Sequence, residues 1–533
     1  MSKKKIRLLQ IGHHNWQDEA EIPENIDWIY LQPQEILSFL EAENKKLEAR
    51  YQKEKAKFPK KEGVKRGKIQ IDGIILPASS YSQDLLLLES IIEPYRVFFP
   101  EDLETTDPVL QTFLARIFAQ AADFSDKASL LQTFSKIFFK GQFGQKIAIS
   151  DFAINPDAQN YFHHYEGNAY LVLDGEYGED YKAIGSYVYG VPYYKEAQIE
   201  LWQEFIKDPT CEVKIRVSHI PEGALASIIA EWEFKGEELE LPNVIDLDKN
   251  GTLFVTIFVK GQGRLQLGSL HYRRGRGGFG QFSLGGQRFF DSQRQEFSYF
   301  FHPGDFKPPL CVYFSGWRTA EGFEGYGMMR KLGAPMLLIC DSRITGGSFY
   351  LGTKEFENKI SDVIQMYLEY LGFNNKQLIM SGMSMGTFGA VYHGANLDPH
   401  AFILAKPVFS LGRVAELEKT LRPGGFPASL DILLHLEGGM EDAAARRLDK
   451  RFWDVCVNGR YQGTKFFIAY MKDDDYDKTA FRELVEGLSN REVQIVGRGW
   501  TGRHMDGSSF TVPWFLNQYQ KVLETDFGRG EQL

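Results

Sequence analysis

Gln377-Leu378-Ile379-Met380-Ser381-Gly382-Met383-Ser384-Met385-Gly386-Thr387-Phe388-Gly389-Ala390-Val391 decides the fold of the C-terminal half. An apolar run of strand length meets a G-x-S-x-G turn at Gly382–Gly386. A helix of small residues follows. That strand–turn–helix order is the nucleophile elbow of an α/β-hydrolase-type sheet, with Ser384 at the bend. The turn is tight, so the positions flanking the serine must be small. The helix start behind it favours developing negative charge.

Outward from the elbow, strands and helices alternate. Strands are expected at Leu310–Phe314, 336–340, 465–470 and 492–496, with helices over 356–371 and 513–523. This is a doubly wound α/β pattern over residues 296–533. Residues 151–295 read differently. Short alternating runs at 170–173, 211–218, 227–234, 252–260 and 265–272 predict an antiparallel β-sandwich, a module that often binds carbohydrate beside an enzyme domain. Residues 1–150 open with a strand at Ile6–Ile11, repeat one at 69–76, and interleave helical patterns at 34–57 and 85–93. A small α/β, Rossmann-like domain with parallel strands is expected there.

A serine hydroxyl needs a base, and hydrolases place serine, acid and histidine in that chain order. The strand ending at Tyr470 runs into Asp473-Asp474-Asp475-Tyr476-Asp477. The next leads into Gly499-Trp500-Thr501-Gly502-Arg503-His504. Both loops leave C-terminal strand ends, where open α/β sheets carry their sites. His504 is the base candidate. Asp474 is the preferred acid and Asp473 its closest rival, the other aspartates being assigned to loop solvation or to capping a helix over 478–488. The backbone N–H of Met385, with those of Gly316 or Trp317 after the strand ending at Phe314, is the expected oxyanion hole. The lipase HGGG sequence is absent. Trp317 reads equally as a sugar-stacking or core residue, and His393, His400 and His435 as structural.

Bulk properties set limits. The chain has 533 residues, too many for one core. Its net charge of −10 gives no support for nucleic-acid binding. The aromatic content of 14% fits large β-sheet cores. Four dispersed cysteines make no CxxC pair, so neither a disulfide framework nor a metal site is expected, and a reducing, cytoplasmic setting is the default. The start, Met1 to Ile11, is too short and polar for a signal peptide, and no run approaches the roughly 18 apolar residues of a membrane span. The basic stretch 45–68 reads as a solvated helix ending in a loop at Pro59, with peripheral contact to anionic lipid or an acidic partner as the other reading. Gly275-Arg276-Gly277-Gly278-Phe279-Gly280 matches G-x-G-x-x-G on paper, but Gln281-Phe282-Ser283-Leu284 starts no helix to face a pyrophosphate. It is expected to be a turn, with Arg273, Arg274 and Arg276 as surface charge.

The elbow, the Asp473–Asp475 loop and the Gly499–His504 loop, joined to this long N-terminal half, resemble the accessory Sec system protein family. Within it the likeness is to the second of the three accessory secretion proteins of Gram-positive cocci, and it spans the whole chain. The resemblance implies O-acetylation of N-acetylglucosamine on serine-rich repeat adhesins. It also implies a role in their export, with two sister proteins and a dedicated motor ATPase as partners. Carried over by motif, Ser384, Asp474 and His504 form the acetyl-transfer triad. No tightly bound cofactor is expected. An acetyl donor is required; acetyl-CoA fits chemically, although no nucleotide-binding signature is present. Two alternatives stay open beside the transferase: a glycan esterase or deacetylase, and a non-enzymatic scaffold.

Overall fold

Three sheets carry the chain in the computed structural model, which describes residues 5–57, 65–224 and 227–530. The Met1–Lys4 start and the Pro59 loop lie outside these. The described residues divide into two compact units.

The first unit holds residues 1–141 with two short later segments, 196–198 and 275–285. Its five strands run parallel in the spatial order Ile26–Leu31, Ile6–Ile11, Gly73–Ile75, Val97–Pro100, Gln120–Ala122. Leu9, Ile11, Ile74, Leu85, Leu88 and Phe113 build its core. Of the strand expected over 69–76, only Gly73–Ile75 pairs. The apolar run expected as helix at 85–93 is a 3-10 helix, Gln83–Ser90. The glycine-rich 275–285 segment is a turn, with left-handed backbone at Gly277, Gly278 and Gly285. One expectation for it fails: Arg276 is buried. Its guanidinium donates to the carbonyls of Ile137, Phe139, Gly141 and Phe282, so it ties the turn down rather than facing solvent.

The second unit holds the other two sheets. The strand Gly251–Arg274 is the spine of a ten-stranded antiparallel sheet. Its first half pairs with Cys211–Pro221, its second with Ile199–Lys207, and its middle, Thr256–Leu267, with Tyr170–Tyr187. Cys211, Val213, Ile215 and Val217 alternate inward against Val255, Ile257 and Val259, the two-residue period of a strand with one face in the core. All ten strands are linked by hydrogen bonds through the spine, and inward residues from both of its halves, Val255, Ile257, Leu265 and Leu267, share one core. The spine crosses its middle at Gly261 and Gly263, both left-handed, where the register against Tyr170–Tyr187 shifts. The strand Gly144–Ile147 also belongs to this sheet.

The third sheet has eight strands in the order Gln287–Phe290, Glu296–His302, Met336–Asp341, Leu310–Phe314, Leu378–Met383, Ala401–Ala405, Thr464–Met471, Val493–Trp500. Pairing is parallel from Met336–Asp341 onward and antiparallel at the first two strands. Its central strands are buried on both faces, as parallel strands covered by helices must be. The closing helix runs Ser508–Phe527 and takes Pro513 inside it, within two turns of its start. Among the described residues, no helix is long and apolar enough to cross a membrane.

Arg273 and Arg274 correct the surface reading further. Arg273 is 1% exposed. Its guanidinium binds Glu296 at 2.6 and 2.7 Å and Glu321 at 2.6 Å. His271 bridges Glu321 and, at 2.8 Å, Glu204. The spine strand is thus joined to the third sheet by buried ions, which are stable only when paired. Arg274 is half-buried.

Candidate active site

The strand Leu378–Met383 delivers Ser384 at φ 52° and ψ −122°, and the helix Met385–Gly394 leaves immediately after it. A side chain at Gly382 would start 2.2 Å from the Gly386 carbonyl oxygen. One at Gly386 would start 2.0 Å from that of Phe314. Both glycines are sterically required, and the serine holds a backbone conformation that non-glycine residues avoid.

Ser384 Oγ lies 2.9 Å from His504 Nε2, and His504 Nδ1 lies 2.8 Å from Asp474 Oδ2. The imidazole is 2% exposed and Asp474 is 5% exposed. Asp474 Oδ1 also accepts the N–H groups of Tyr476 and Asp477, at 2.9 and 3.1 Å. Burial pushes this carboxyl up. The hydrogen bond and charge of His504, with the two amides, outweigh that and hold it below its ordinary range. An ionised acid, an imidazole and a hydroxyl in line can take the serine proton as Oγ attacks an acyl carbon.

The remaining aspartates separate by contact. Asp473 is exposed and accepts the Gly502 amide, at 3.3 Å. Asp475 accepts the His504 N–H at 2.9 Å and pairs with Arg422. Asp477 caps no following helix. It is buried and accepts the Phe409 and Ser410 amides, at 2.8 and 2.9 Å, which fixes the start of the helix Leu411–Thr420.

Of the expected oxyanion donors, Gly316 is already engaged. Its N–H donates to Glu324 at 2.6 Å. The Met385 N–H heads its helix, where no intrahelical acceptor exists, and with Trp317 it remains the candidate pair. Trp317 lies edge-on to Phe426 and covers Gly346, where any side chain would meet the indole at 2.5 Å. His393 bonds the Tyr350 carbonyl and His400 bonds Asp526, while His435 packs on Tyr170. Among the described residues, no group of three or more His, Cys, Asp or Glu side chains is placed to hold a metal.

Sequence reasoning missed Arg422, Phe426 and Lys406. The Lys406 ammonium reaches Ser508 Oγ at 3.2 Å, and burial lowers its pKa although Asp474 and Asp506 oppose this. No motif marks any of the three; each arrives on a loop that only the fold brings near.

Residues 6–529 match the family described as the accessory Sec system GspB-transporter. Accessory secretory protein 2 of the accessory Sec system of Streptococcus gordonii is 41% identical over 99% of this chain and 99% of its own. Its counterpart in Staphylococcus aureus (strain NCTC 8325 / PS 47) is 37% identical over 99% and 98%. A solved chain from the Glycosylation Associate Protein (Gap123) complex of Streptococcus agalactiae superposes with a TM-score of 0.92 at 42% identity, covering 99% of this chain and 100% of that one. With residues 6–529 matched, the chain belongs to the GspB-transporter family of accessory Sec system proteins, that of accessory secretory protein 2.

Proposed function

We propose that this chain is a glycan O-acetyltransferase. It acetylates N-acetylglucosamine on serine-rich repeat adhesins and supports their export beside two sister accessory proteins and the accessory motor ATPase, at the cytoplasmic face of the membrane. The observation that carries the catalytic part is the unbroken contact Ser384–His504–Asp474 at the elbow. Ser384 Oγ attacks the acetyl carbonyl of the donor as His504 Nε2 takes its proton. The carbonyl oxygen, now negative, turns toward the Met385 and Trp317 amides. Collapse expels the donor's leaving group, which takes the proton from His504. A sugar hydroxyl then gives its proton to His504 and attacks the acetyl-serine carbon. The ester moves to the sugar, and the proton returns to Ser384. Acetyl-CoA fits as donor. The antiparallel module would present the glycan. The similar Streptococcus agalactiae chain sits in a Gap123 complex, which supports the sister-protein part.

The test is acetyl transfer from acetyl-CoA to an N-acetylglucosaminyl peptide by the full chain with its sister proteins, read by mass spectrometry. Acetylated sugar from the wild type and none from Ser384→Ala is expected. Free acetate with no acetylated sugar would replace the transferase with an esterase. Equal activity of both proteins would end the enzymatic reading and leave the scaffold.

A further inference from the structure

His504 is gripped from two sides by consecutive aspartates and stacked on by Tyr476, and a segment outside the elbow and its two loops bears on Asp475 and Tyr476. Asp474 holds the ring, and Asp475 Oδ1 accepts the backbone N–H of His504 at 2.9 Å. The Tyr476 ring stacks on the imidazole, with centroids 4.3 Å apart and planes 22° apart. Arg422, in the loop between the helices Leu411–Thr420 and Ala428–Glu437, reaches both supports. Its Nη1 lies 2.6 Å from the Asp475 carbonyl oxygen and 2.8 Å from Asp475 Oδ2, and its guanidinium lies over Tyr476 at 4.2 Å. Phe426 of the same loop stacks on Tyr476, and the Tyr476 hydroxyl donates to the Gly425 carbonyl at 3.3 Å. The loop is itself fixed, because the Glu418 carboxylate accepts the amides of Gly424 and Phe426.

We infer that Arg422 is a positioning residue for His504, setting the height and plane of the imidazole from across the site. Resting on the acyl-transfer reading above, this identifies the loop 421–427 as part of the working site. A planar guanidinium suits the task. One nitrogen serves a backbone and a side-chain oxygen of Asp475 while the flat face of the group lies on the Tyr476 ring, a stack that an ammonium cannot form. It also pairs with the charge of Asp475, the carboxylate that holds the His504 backbone. Arg422 touches neither reacting atom. Its loss should slow chemistry without weakening the capture of a small ester.

The experiment is p-nitrophenyl acetate turnover by the full chain. Wild type against Ser384→Ala comes first; if these two are equal, the acyl-transfer reading fails and not the inference. With that difference in hand, Arg422→Ala is expected to lower kcat by about tenfold or more, as a small misplacement of a base does, with KM unchanged. Guanidinium ion at low millimolar concentration should restore part of the lost kcat. Arg422→Lys, which keeps the ion pair and loses the flat stack, should fall between, and it serves if the alanine variant does not fold. A wild-type kcat in both variants overturns the inference. So does a loss of kcat matched by a change in KM, or one that guanidinium leaves unreversed.

Discussion

Ser384 Oγ and His504 Nε2 are separated by 120 residues of sequence and by 2.9 Å in the fold. The distance is set by sheet register. The strand carrying Ser384 and the strand before the His504 loop are three places apart in one parallel sheet, so their C-terminal ends open on the same edge. The Ser384 amide still donates to Ala405 at 2.9 Å, which anchors the bend to the neighbouring strand. Chemistry and strain thus meet at one residue.

That strain predicts a separation of stability from activity. Ser384→Gly relieves the positive φ, and Ser384→Ala keeps it. Both should lose acyl transfer, but the glycine variant should unfold later by about 1–3 kcal/mol. Chemical denaturation of the two proteins measures it. Equal midpoints would mean the elbow stores no strain.

The aspartate run should divide sharply. Asp474→Asn keeps the shape but removes the charge opposite the imidazole and favours the wrong ring tautomer. The expected fall in kcat is about a thousandfold or more. Asp473→Asn, which alters one exposed contact, should stay within about twofold, since surface changes of this kind are nearly neutral. Steady-state ester turnover distinguishes them. Comparable losses would show that the acid is shared.

These two cases also show what the amino-acid order makes legible. The elbow reads directly, because its strand, turn and helix lie within fifteen consecutive residues and its glycines have local steric causes. The serine–acid–histidine order follows from parallel strands ending on one edge. What stayed hidden depends on partners distant in sequence. Arg273 and Arg276 look like solvent charges beside glycines, but Arg273 finds Glu296 and Glu321, and Arg276 finds carbonyls more than 130 residues earlier. Tyr476 sits inside the acid loop, yet its role comes from the Arg422 loop. The strands expected at 252–260 and 265–272 are one strand of 24 residues, which alternation alone divides in two at Gly261–Gly263.

Arg273 therefore carries a stability prediction. Arg273→Ala strands Glu296 and Glu321 without their main counter-charge. Burial pushes both carboxyls up, and Arg273 first among their partners holds them low, Glu321 at about 2. Removing it should cost about 3–5 kcal/mol, the usual consequence of breaking one side of a buried ion pair. Arg273→Met, with an uncharged chain of similar length, leaves Glu296 to Arg288 and Glu321 to His271, and should fare little better. Thermal unfolding measures both. A loss below about 1 kcal/mol would show that water reaches the cluster.

Asp449 should give the fold an inverted pH response. Its carboxylate accepts the amides of Gly412 and Arg413, at 2.6 and 3.1 Å, at the start of the helix Leu411–Thr420. Burial lifts the carboxyl to about 7, against the pull of those amides and the Arg413 charge. An aspartate in the unfolded chain titrates near 3.9. Between these values the folded protein holds a proton that the unfolded chain has released, so stability falls as pH rises from about 4 to about 7 and is level above that. The full effect is a few kcal/mol at most, at about 1.4 kcal/mol per pH unit. Asp449→Asn carries no titrating group and should flatten that part of the stability curve while raising stability at neutral pH. The paired carboxylates Glu296 and Glu321 titrate low and lose their contribution only in stronger acid, whereas the buried imidazoles of His393 and His435, held down to about 4, titrate inside the window with the opposite slope, so the Asp449 share is the difference between wild type and Asp449→Asn. Denaturation midpoints at half-unit steps from pH 4 to pH 8 decide the matter. A slope shared by wild type and Asp449→Asn would assign the response to another group.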